Sequence, residues 1–188
     1  YSWTPSFSLN TNTGSVVSAM PSTTTTYSVV GTNANNCSST SLITVNVNPL
    51  PILNVTPNIS TICEGKSVGI TASGAQDFIW SPALGLNTTQ DSSVIANPIT
   101  TTVYSILGTD ANDCSDIISA TVNVNPKPTI TSSPSSADIC EGASININAF
   151  GALSYSWIPS FGLNSTIGQS VIANPTTSTY YTVTGTDI

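Results

Sequence analysis

Residues 101–108, Thr-Thr-Val-Tyr-Ser-Ile-Leu-Gly, decide the fold because their side chains alternate between two faces. Tyr104, Ile106 and Gly108 share one face, with the two-residue period of a β-strand. The threonines favour strands over helices, since branching at Cβ restricts χ1. Residues 68–72 and 120–124 alternate in the same way, and no segment keeps a helical period over three turns. The sequence therefore predicts an all-β protein.

This segment belongs to a repeat of 77 residues without insertions or deletions. Solenoid units are only roughly 20–50 residues long, so a period of this length indicates one small domain per copy. The positions that recur are Trp3, Trp80 and Trp157; Pro5, Pro82 and Pro159; Tyr27, Tyr104 and Tyr181; Gly31, Gly108 and Gly185; Cys37 and Cys114; and Cys63 and Cys140.

Two proline-rich joints, residues 48–51 and 125–128, set the frame of the repeat. Proline restricts its own φ and the residue before it, so each joint is predicted to be short, stiff and extended. We expect residues 1–50 to be the C-terminal part of one repeat, 51–127 a complete repeat and 128–188 the N-terminal part of a third. The chain is then a window on a longer polypeptide.

Six or seven short strands are predicted in the complete repeat, which is typical of an immunoglobulin-like β-sandwich. The expected fold is a linear array of such sandwiches. The predicted strands lie near residues 52–55, 67–73, 93–96, 101–108 and 117–124, with one more carrying Trp80.

The composition excludes several classes of function. Only 6% of residues are charged, the net charge is −7, and the chain has no arginine or histidine. A protein that binds nucleic acid needs a basic surface, and so does a protein that binds anionic membranes. The composition therefore argues against both. No apolar run approaches the roughly 20 residues of a membrane span, so no membrane insertion is expected. Without histidine, and with Glu64 and Glu141 one per repeat, we predict no catalytic residues, no cofactor and no enzyme.

The four cysteines suggest an oxidising, extracytoplasmic setting, because none has the close spacing of a zinc site. Pairing Cys63 with Cys114 closes a loop of 51 residues within the complete repeat. The chain-entropy model gives such a loop about 4 kcal/mol. An alternative pattern pairs Cys37 with Cys63 and Cys114 with Cys140. It requires the chain to double back at each joint, and extended joints oppose this.

The recurring aromatic residues admit two interpretations. An exposed tryptophan can stack on a sugar ring, whereas immunoglobulin-type sandwiches have a core tryptophan on the third strand. Trp80 stands two residues before a proline, as its counterparts do, and this regularity favours the core. Tyr104 is predicted to fill the core with its hydroxyl bonded to the backbone, like a tyrosine corner.

Two loops are candidate sites. Residues 86–89, with the recurring pair Leu86-Asn87, form the candidate binding surface, although Leu86 could equally anchor the loop on the core. Its ligand is unknown from sequence. The second loop, residues 110–116, resembles an oxygen-rich calcium loop, but the first copy has Asn or Ser in place of its carboxylates. We therefore predict a turn without metal there. Its members are Asp110, Asn112, Asp113 and Asp116, and the replacements are Asn33, Asn36 and Ser39.

The motifs at residues 62–65, 67–74, 80–82 and 101–114 resemble the Ig-like and PKD-like repeats of giant Bacteroidota surface proteins. That family is exported by type IX secretion, and the chain looks most like its gliding-motility adhesins. The resemblance covers the whole chain and implies an extracellular filament attached at the outer membrane. The family often has glycine before the second cysteine, where this chain has Asp113 or Asn36, and this puts the turn geometry in doubt.

Two functions follow as expectations. The first is a structural repeat, a stalk or filament segment of an adhesin for gliding or surface attachment, whose partners are neighbouring repeats. The second is a module that binds surface glycans or other cell-surface proteins, or an accessory repeat of a secreted enzyme.

Overall fold

The computed structural model describes residues 1–187, which form strands, turns and loops with no helix among them. The all-β prediction is confirmed. The strands are β1 (Ser2–Thr4), β2 (Thr25–Thr32), β3 (Ser38–Val45), β4 (Asn54–Thr56), β5 (Ile59–Cys63), β6 (Val68–Ser73), β7 (Asp77–Ser81), β8 (Ser93–Ala96), β9 (Thr102–Thr109), β10 (Ser115–Asn125), β11 (Thr131–Ser133), β12 (Ile145–Phe150), β13 (Ser154–Ile158), β14 (Ser170–Ala173) and β15 (Thr182–Thr186).

The chain divides into two compact units, Tyr1–Val124 and Asn125–Ile188. The division falls at the second of the two proline-rich joints. The first unit contains β1 to β10 and the second contains β11 to β15. In the part of the chain that the structure describes, no helix has the length and apolar character needed to cross a membrane.

The middle repeat is a complete sandwich of two sheets. One sheet has the order β4-β6-β8 and the other β5-β10-β9-β7. The pairs β4–β6, β6–β8, β7–β9 and β9–β10 are all antiparallel. Every strand predicted in this repeat is present, with its boundaries shifted by at most a few residues. The predicted immunoglobulin-like sandwich matches this arrangement.

One strand of the middle repeat, β5, has no counterpart in the sequence prediction. It follows β4 after Pro57 and Asn58 but joins the opposite sheet, beside β10. Proline has no N–H to donate, so ladder pairing is interrupted there and the chain can change sheets. Ile62 is the only buried aliphatic residue of β5, so the alternation of apolar and polar residues in this segment is too weak to predict a strand from the sequence.

The core of the middle repeat lies between its two sheets. Ile70, Ala72 and Val94 point inward from one sheet, and Trp80 and Ile106 from the other. Inward and outward positions alternate along each strand, as the burial pattern of β7 and β9 shows. Trp80 is only 2% exposed, which confirms the prediction of a core tryptophan.

The flanking repeats contain fewer strands. The first has one sheet, β1-β2-β3, and no facing sheet in the described residues, so Trp3 stays partly exposed. The third has the sheets β11-β12-β14 and β13-β15, which enclose Trp157 at 2% exposure. The buried-Trp arrangement thus recurs where two sheets face each other.

Candidate functional site

The recurring Leu-Asn pair lies in a loop that connects the two sheets of the middle and third repeats. We name residues 84–91 of the middle repeat the edge loop, with counterparts at residues 7–14 and 161–168. The edge loop runs from the end of β7 to the start of β8, which are edge strands of opposite sheets. Its hydrogen bonds show what each recurring residue does.

Asn87 joins the edge loop to β8 by a two-way hydrogen-bond pair. Its backbone N–H donates to the Ile95 carbonyl over 3.1 Å, and its side-chain Oδ1 accepts from the Ile95 N–H over 2.7 Å. The side chain therefore imitates a strand neighbour and satisfies an edge donor. The same pair joins Asn10 to Ser18 and Asn164 to Ile172.

Trp80 joins the edge loop to β7, the edge strand of the other sheet. Its backbone N–H donates to the Thr89 carbonyl over 2.9 Å, and its indole Nε1–H donates to the Asp91 carbonyl over 2.7 Å. A buried indole needs such a partner, and the loop backbone supplies it. The indoles of Trp3 and Trp157 donate to Gly14 and Gly168 in the same way, over 3.0 and 2.9 Å.

Tyr104 joins β9 to the start of the edge loop. Its hydroxyl donates to the Leu84 carbonyl over 2.7 Å, and in the third repeat Tyr181 donates to Phe161 over 2.7 Å. The predicted bond between this hydroxyl and the backbone is confirmed. Burial raises the pKa of the Tyr104 hydroxyl above its ordinary value.

The structure thus places the candidate binding residues in structural contacts. Leu86 packs against the core of the middle repeat, and the Oδ1 of Asn87 is used by Ile95. Thr88 Oγ1 accepts from the Gln90 N–H over 3.3 Å. The edge loop closes the open side of the sandwich, where a bare edge strand would invite pairing with other chains.

The structure does not bring Cys63 and Cys114 together, and all four cysteines are free in it. Cys63 ends β5 at the turn into β6, whereas Cys114 lies in the turn between β9 and β10. That second turn is at the far end of β6, since Gln76, just after β6, donates to the Thr109 carbonyl over 2.9 Å. The six residues of β6 span about 17 Å, and a disulfide needs Cα atoms within about 7 Å. In this structure the two turns therefore lie farther apart than a disulfide spans.

The acidic loop is built as a side-chain-capped turn. Asp110 Oδ1 accepts from the N–H groups of Asn112 and Cys114, over 2.8 and 3.0 Å. Asn33 Oδ1 makes the equivalent bonds in the first copy, over 2.9 and 3.0 Å. Asp and Asn are interchangeable in this role because only one side-chain oxygen is needed. Within residues 1–187, no three His, Cys, Asp or Glu side chains gather as a metal site.

The geometry of that turn answers the doubt raised by the missing glycine. Asp113 and Asn36, which stand before the second cysteine, both have φ of 60°. This is the left-handed region, which Asn and Asp enter more readily than other non-glycine residues. The turn keeps the conformation that glycine favours.

A cavity of about 510 Å³ lies in the third repeat. Its walls include Cys140, Trp157 and Tyr181, together with residues 134–139 and 175–180, which are mainly serine, threonine and proline. By the repeat register, this is the space that β10 fills in the middle repeat with Ala120 and Val122, both buried. Asp138 and Glu141 are the carboxylates on its wall. Neither has a histidine partner, since the chain contains no histidine.

No protein-family model and no curated protein matches the chain. Among solved structures, the human desmocollin-1 ectodomain is 10% identical, over 98% of this chain and 48% of its own, with a TM-score of 0.33. The N-terminal eight Ig domains of Down Syndrome Cell Adhesion Molecule isoform 1.30.30 are 13% identical, over 88% of this chain and 31% of that one, with a TM-score of 0.42. Murine CEACAM1b is 13% identical, over 70% of this chain and 90% of its own, with a TM-score of 0.27. The chain thus spans less than half the length of the first two.

Proposed function

We propose that the chain is a structural segment, a stalk or filament of tandem repeats, in a secreted bacterial cell-surface adhesin. One observation carries this proposal: the tryptophan, tyrosine and asparagine that recur every 77 positions make contacts inside the fold. The recurring tryptophan, tyrosine and asparagine hold the edge loop against both sheets. Side chains used in this way support a role in folding and mechanical strength. In the middle repeat, the Trp80 indole, the Asn87 Oδ1 and the Tyr104 hydroxyl are already hydrogen-bonded within the fold and are not free to bind a ligand.

The path of the chain through the middle repeat suits a load-bearing spacer. Asn54 pairs with Ser73, so the chain enters at the end of β6 and near the β9–β10 turn. It leaves through β10, whose 11 residues extend about 36 Å from that turn to the opposite end. A pulling force then acts along the strands and must shear many hydrogen bonds together.

Force spectroscopy on the 188-residue chain between marker domains tests this proposal. We expect one discrete unfolding event from the middle repeat. Its roughly 70 ordered residues reach about 25 nm at about 3.6 Å each, and the folded repeat already spans about 3.6 nm, so the contour-length gain is about 22 nm. Asn87→Ala is expected to lower the unfolding force, whereas Gln90→Ala, on an exposed neighbour, leaves it unchanged. Smooth extension without a discrete event contradicts the proposal.

The finer assignment to gliding or surface attachment, with export by type IX secretion and attachment at the outer membrane, is supported by the resemblance of residues 62–65 and 101–114 to that family. The full-length reading frame tests it. Many copies that end in a sorting domain support the adhesin, whereas a few copies after a catalytic domain support an accessory repeat of a secreted enzyme.

A second candidate is a module that binds glycans or cell-surface proteins through the edge loop. Thr88 and Thr89 are half-buried side chains beside the structural Asn87, and the contact of Thr89 to Trp80 uses the Thr89 carbonyl. Thr89→Ala therefore alters the surface and preserves that backbone bond. Saturable glycan-array binding by the intact chain that Thr89→Ala abolishes supports this second function, and absence of binding favours the spacer.

A further inference from the structure

One surface of the middle repeat is not explained by a spacer role. The outer face of β7, β9 and β10 carries Ile79, Leu107 and Ile117, which are direct neighbours in the strand register. Ile79 is 50% exposed and Ile117 is 64% exposed, with Leu107 half-buried between them. We name these three residues the apolar row. Cross-strand neighbours have Cβ atoms about 5 Å apart, so the row is a continuous aliphatic strip.

The apolar row stands out from the rest of its own face. The adjacent row on one side is Ser81, Ser105 and Ser119, and on the other it is Asp77, Thr109 and Ser115. Val103, at 58% exposure, is a further exposed aliphatic residue of this face, one row beyond Ser105. Scattered exposed aliphatic residues are ordinary on protein surfaces, but a contiguous strip is typical of an interaction site.

The other copies lack the apolar row at the same positions. The first repeat has Ser2, Val30 and Thr40 in this register. The third has Ser156 opposite Thr184. The fold therefore does not require isoleucine at the outer positions occupied by Ile79 and Ile117.

Charge indicates what the row can bind. Asp77 lies in the next row, and Asp110 and Asp113 lie in the β9–β10 turn at the same end of the sheet. Lys66, the cation of this sandwich, follows β5 at the opposite end. The first copy has Asn33 and Asn36 at the two turn positions, so this acidic end distinguishes the middle copy from the first, whereas the third copy has Asp187 at the position of Asp110.

We propose that the apolar row and its acidic end form a docking surface for a partner protein that presents aliphatic side chains next to lysine or arginine. Isoleucine and leucine offer no hydrogen bonds to a sugar and no aromatic ring for stacking. A second copy of this chain is poorly complementary, since it carries 2 basic and 9 acidic side chains. A basic partner gains both burial of the strip and attraction to the carboxylates.

The test uses an alternating Lys-Leu octapeptide titrated into the isotopically labelled 188-residue chain and followed by amide NMR shifts. Shifts are expected around the apolar row and Asp77, and binding is expected to weaken with added salt. Ile79→Ser with Ile117→Thr, the residues of the first copy, is expected to weaken binding about tenfold or more. Ile95→Ser, on the outer face of the opposite sheet and also a first-copy residue, leaves it unchanged.

Four outcomes overturn the proposal. The first is equal binding by the Ile79→Ser and Ile117→Thr double variant, and the second is equal binding of a matched Glu-Leu peptide. The third is a salt-stable dimer in sedimentation equilibrium that the double variant abolishes, because the occupant is then a second copy. The fourth is a set of amide shifts confined to the opposite sheet, because the peptide then binds away from the apolar row.

Discussion

The first and middle copies of the repeat differ at the start of the edge loop. Gly85 of the middle copy has φ of +71°, and its counterpart Ser8 has φ of 63°. A Cβ at Gly85 would lie 2.6 Å from Pro98 N and 2.7 Å from Asn97 O, closer than real side chains come to a backbone.

The tyrosine contact differs between the same two copies. Tyr104 and Tyr181 donate to the edge loop, whereas the buried hydroxyl of Tyr27 has no hydrogen-bond partner in the described residues. The first copy has Ser8 where the others have glycine, although the Met20 N–H still donates to the Ser8 carbonyl over 2.7 Å, as Asn97 does to Gly85. The third copy, with Gly162, keeps the tyrosine bond. The tyrosine anchor is thus present in the two copies with glycine and absent in the copy with serine.

The largest expected effect comes from the tryptophans. Trp80→Ala removes a side chain that is 2% exposed and should cost about 3–5 kcal/mol of unfolding free energy in the middle repeat. Trp3→Ala should cost far less, since Trp3 is partly exposed and packs against no facing sheet in the described part of the chain. Hydrogen exchange by mass spectrometry reports each repeat separately. Equal loss of protection in both repeats would refute the difference.

Converting the middle copy to the first-copy residue comes next. Gly85→Ser should cost about 1–3 kcal/mol, through the clash with Asn97 and Pro98 and the loss of the Tyr104 bond. Gly69→Ala is the control, because a Cβ at Gly69 meets nothing within 4 Å. Denaturant unfolding of the chain measures both. If Gly85→Ser is as mild as the control, Ser8 does not explain the state of Tyr27.

The Tyr104 hydroxyl makes the comparison pH-dependent. Its pKa is raised by burial in the folded state, so the unfolded chain ionises first as pH rises. The hydroxyl's contribution is complete below the unfolded pKa of about 10 and is lost above it. Stability of the middle repeat should therefore fall above about pH 10. Tyr104→Phe should cost about 1 kcal/mol at pH 7 and flatten that decline; an unaltered pH profile would disprove the coupling.

The smallest expected effect is at the cysteines. Cys63→Ser should change the stability of the middle repeat by less than about 0.5 kcal/mol, since Cys63 is exposed and free. A bridge to Cys114 would instead make the loss about 4 kcal/mol. Peptide mapping without reductant should find no Cys63–Cys114 crosslink, and a dominant crosslink there would contradict the topology.

Periodicity alone located most of the fold. Alternating side chains placed β6, β8 and β9 within a residue of their observed bounds, and the recurrence of Trp80 before proline indicated its burial. These features are local or repeated, so one sequence contains them. The number of residues between Cys63 and Cys114 does not tell which end of the sandwich each turn occupies, and in the structure β6 separates the two turns.

The edge loop shows the opposite limit. The Leu86-Asn87 pair is visible in all three copies of the sequence. The hydrogen bonds of Asn87, however, are made with Ile95, which lies eight residues later in strand β8. A recurring polar residue can bind a ligand or cap an edge, and only the register distinguishes these. The eight-residue spacing between Asn87 and Ile95 could have suggested capping, since Asn10–Ser18 and Asn164–Ile172 repeat it.

The central claim is that the recurring edge loop is an internal anchor of each sandwich. Amide exchange at Ile95 in Asn87→Ala, compared with Gln90→Ala, tests it most directly. Loss of the Oδ1 acceptor should accelerate exchange of that N–H and cost about 1 kcal/mol, with little change in Gln90→Ala. Unchanged exchange at Ile95 would show that Asn87 does not hold the edge.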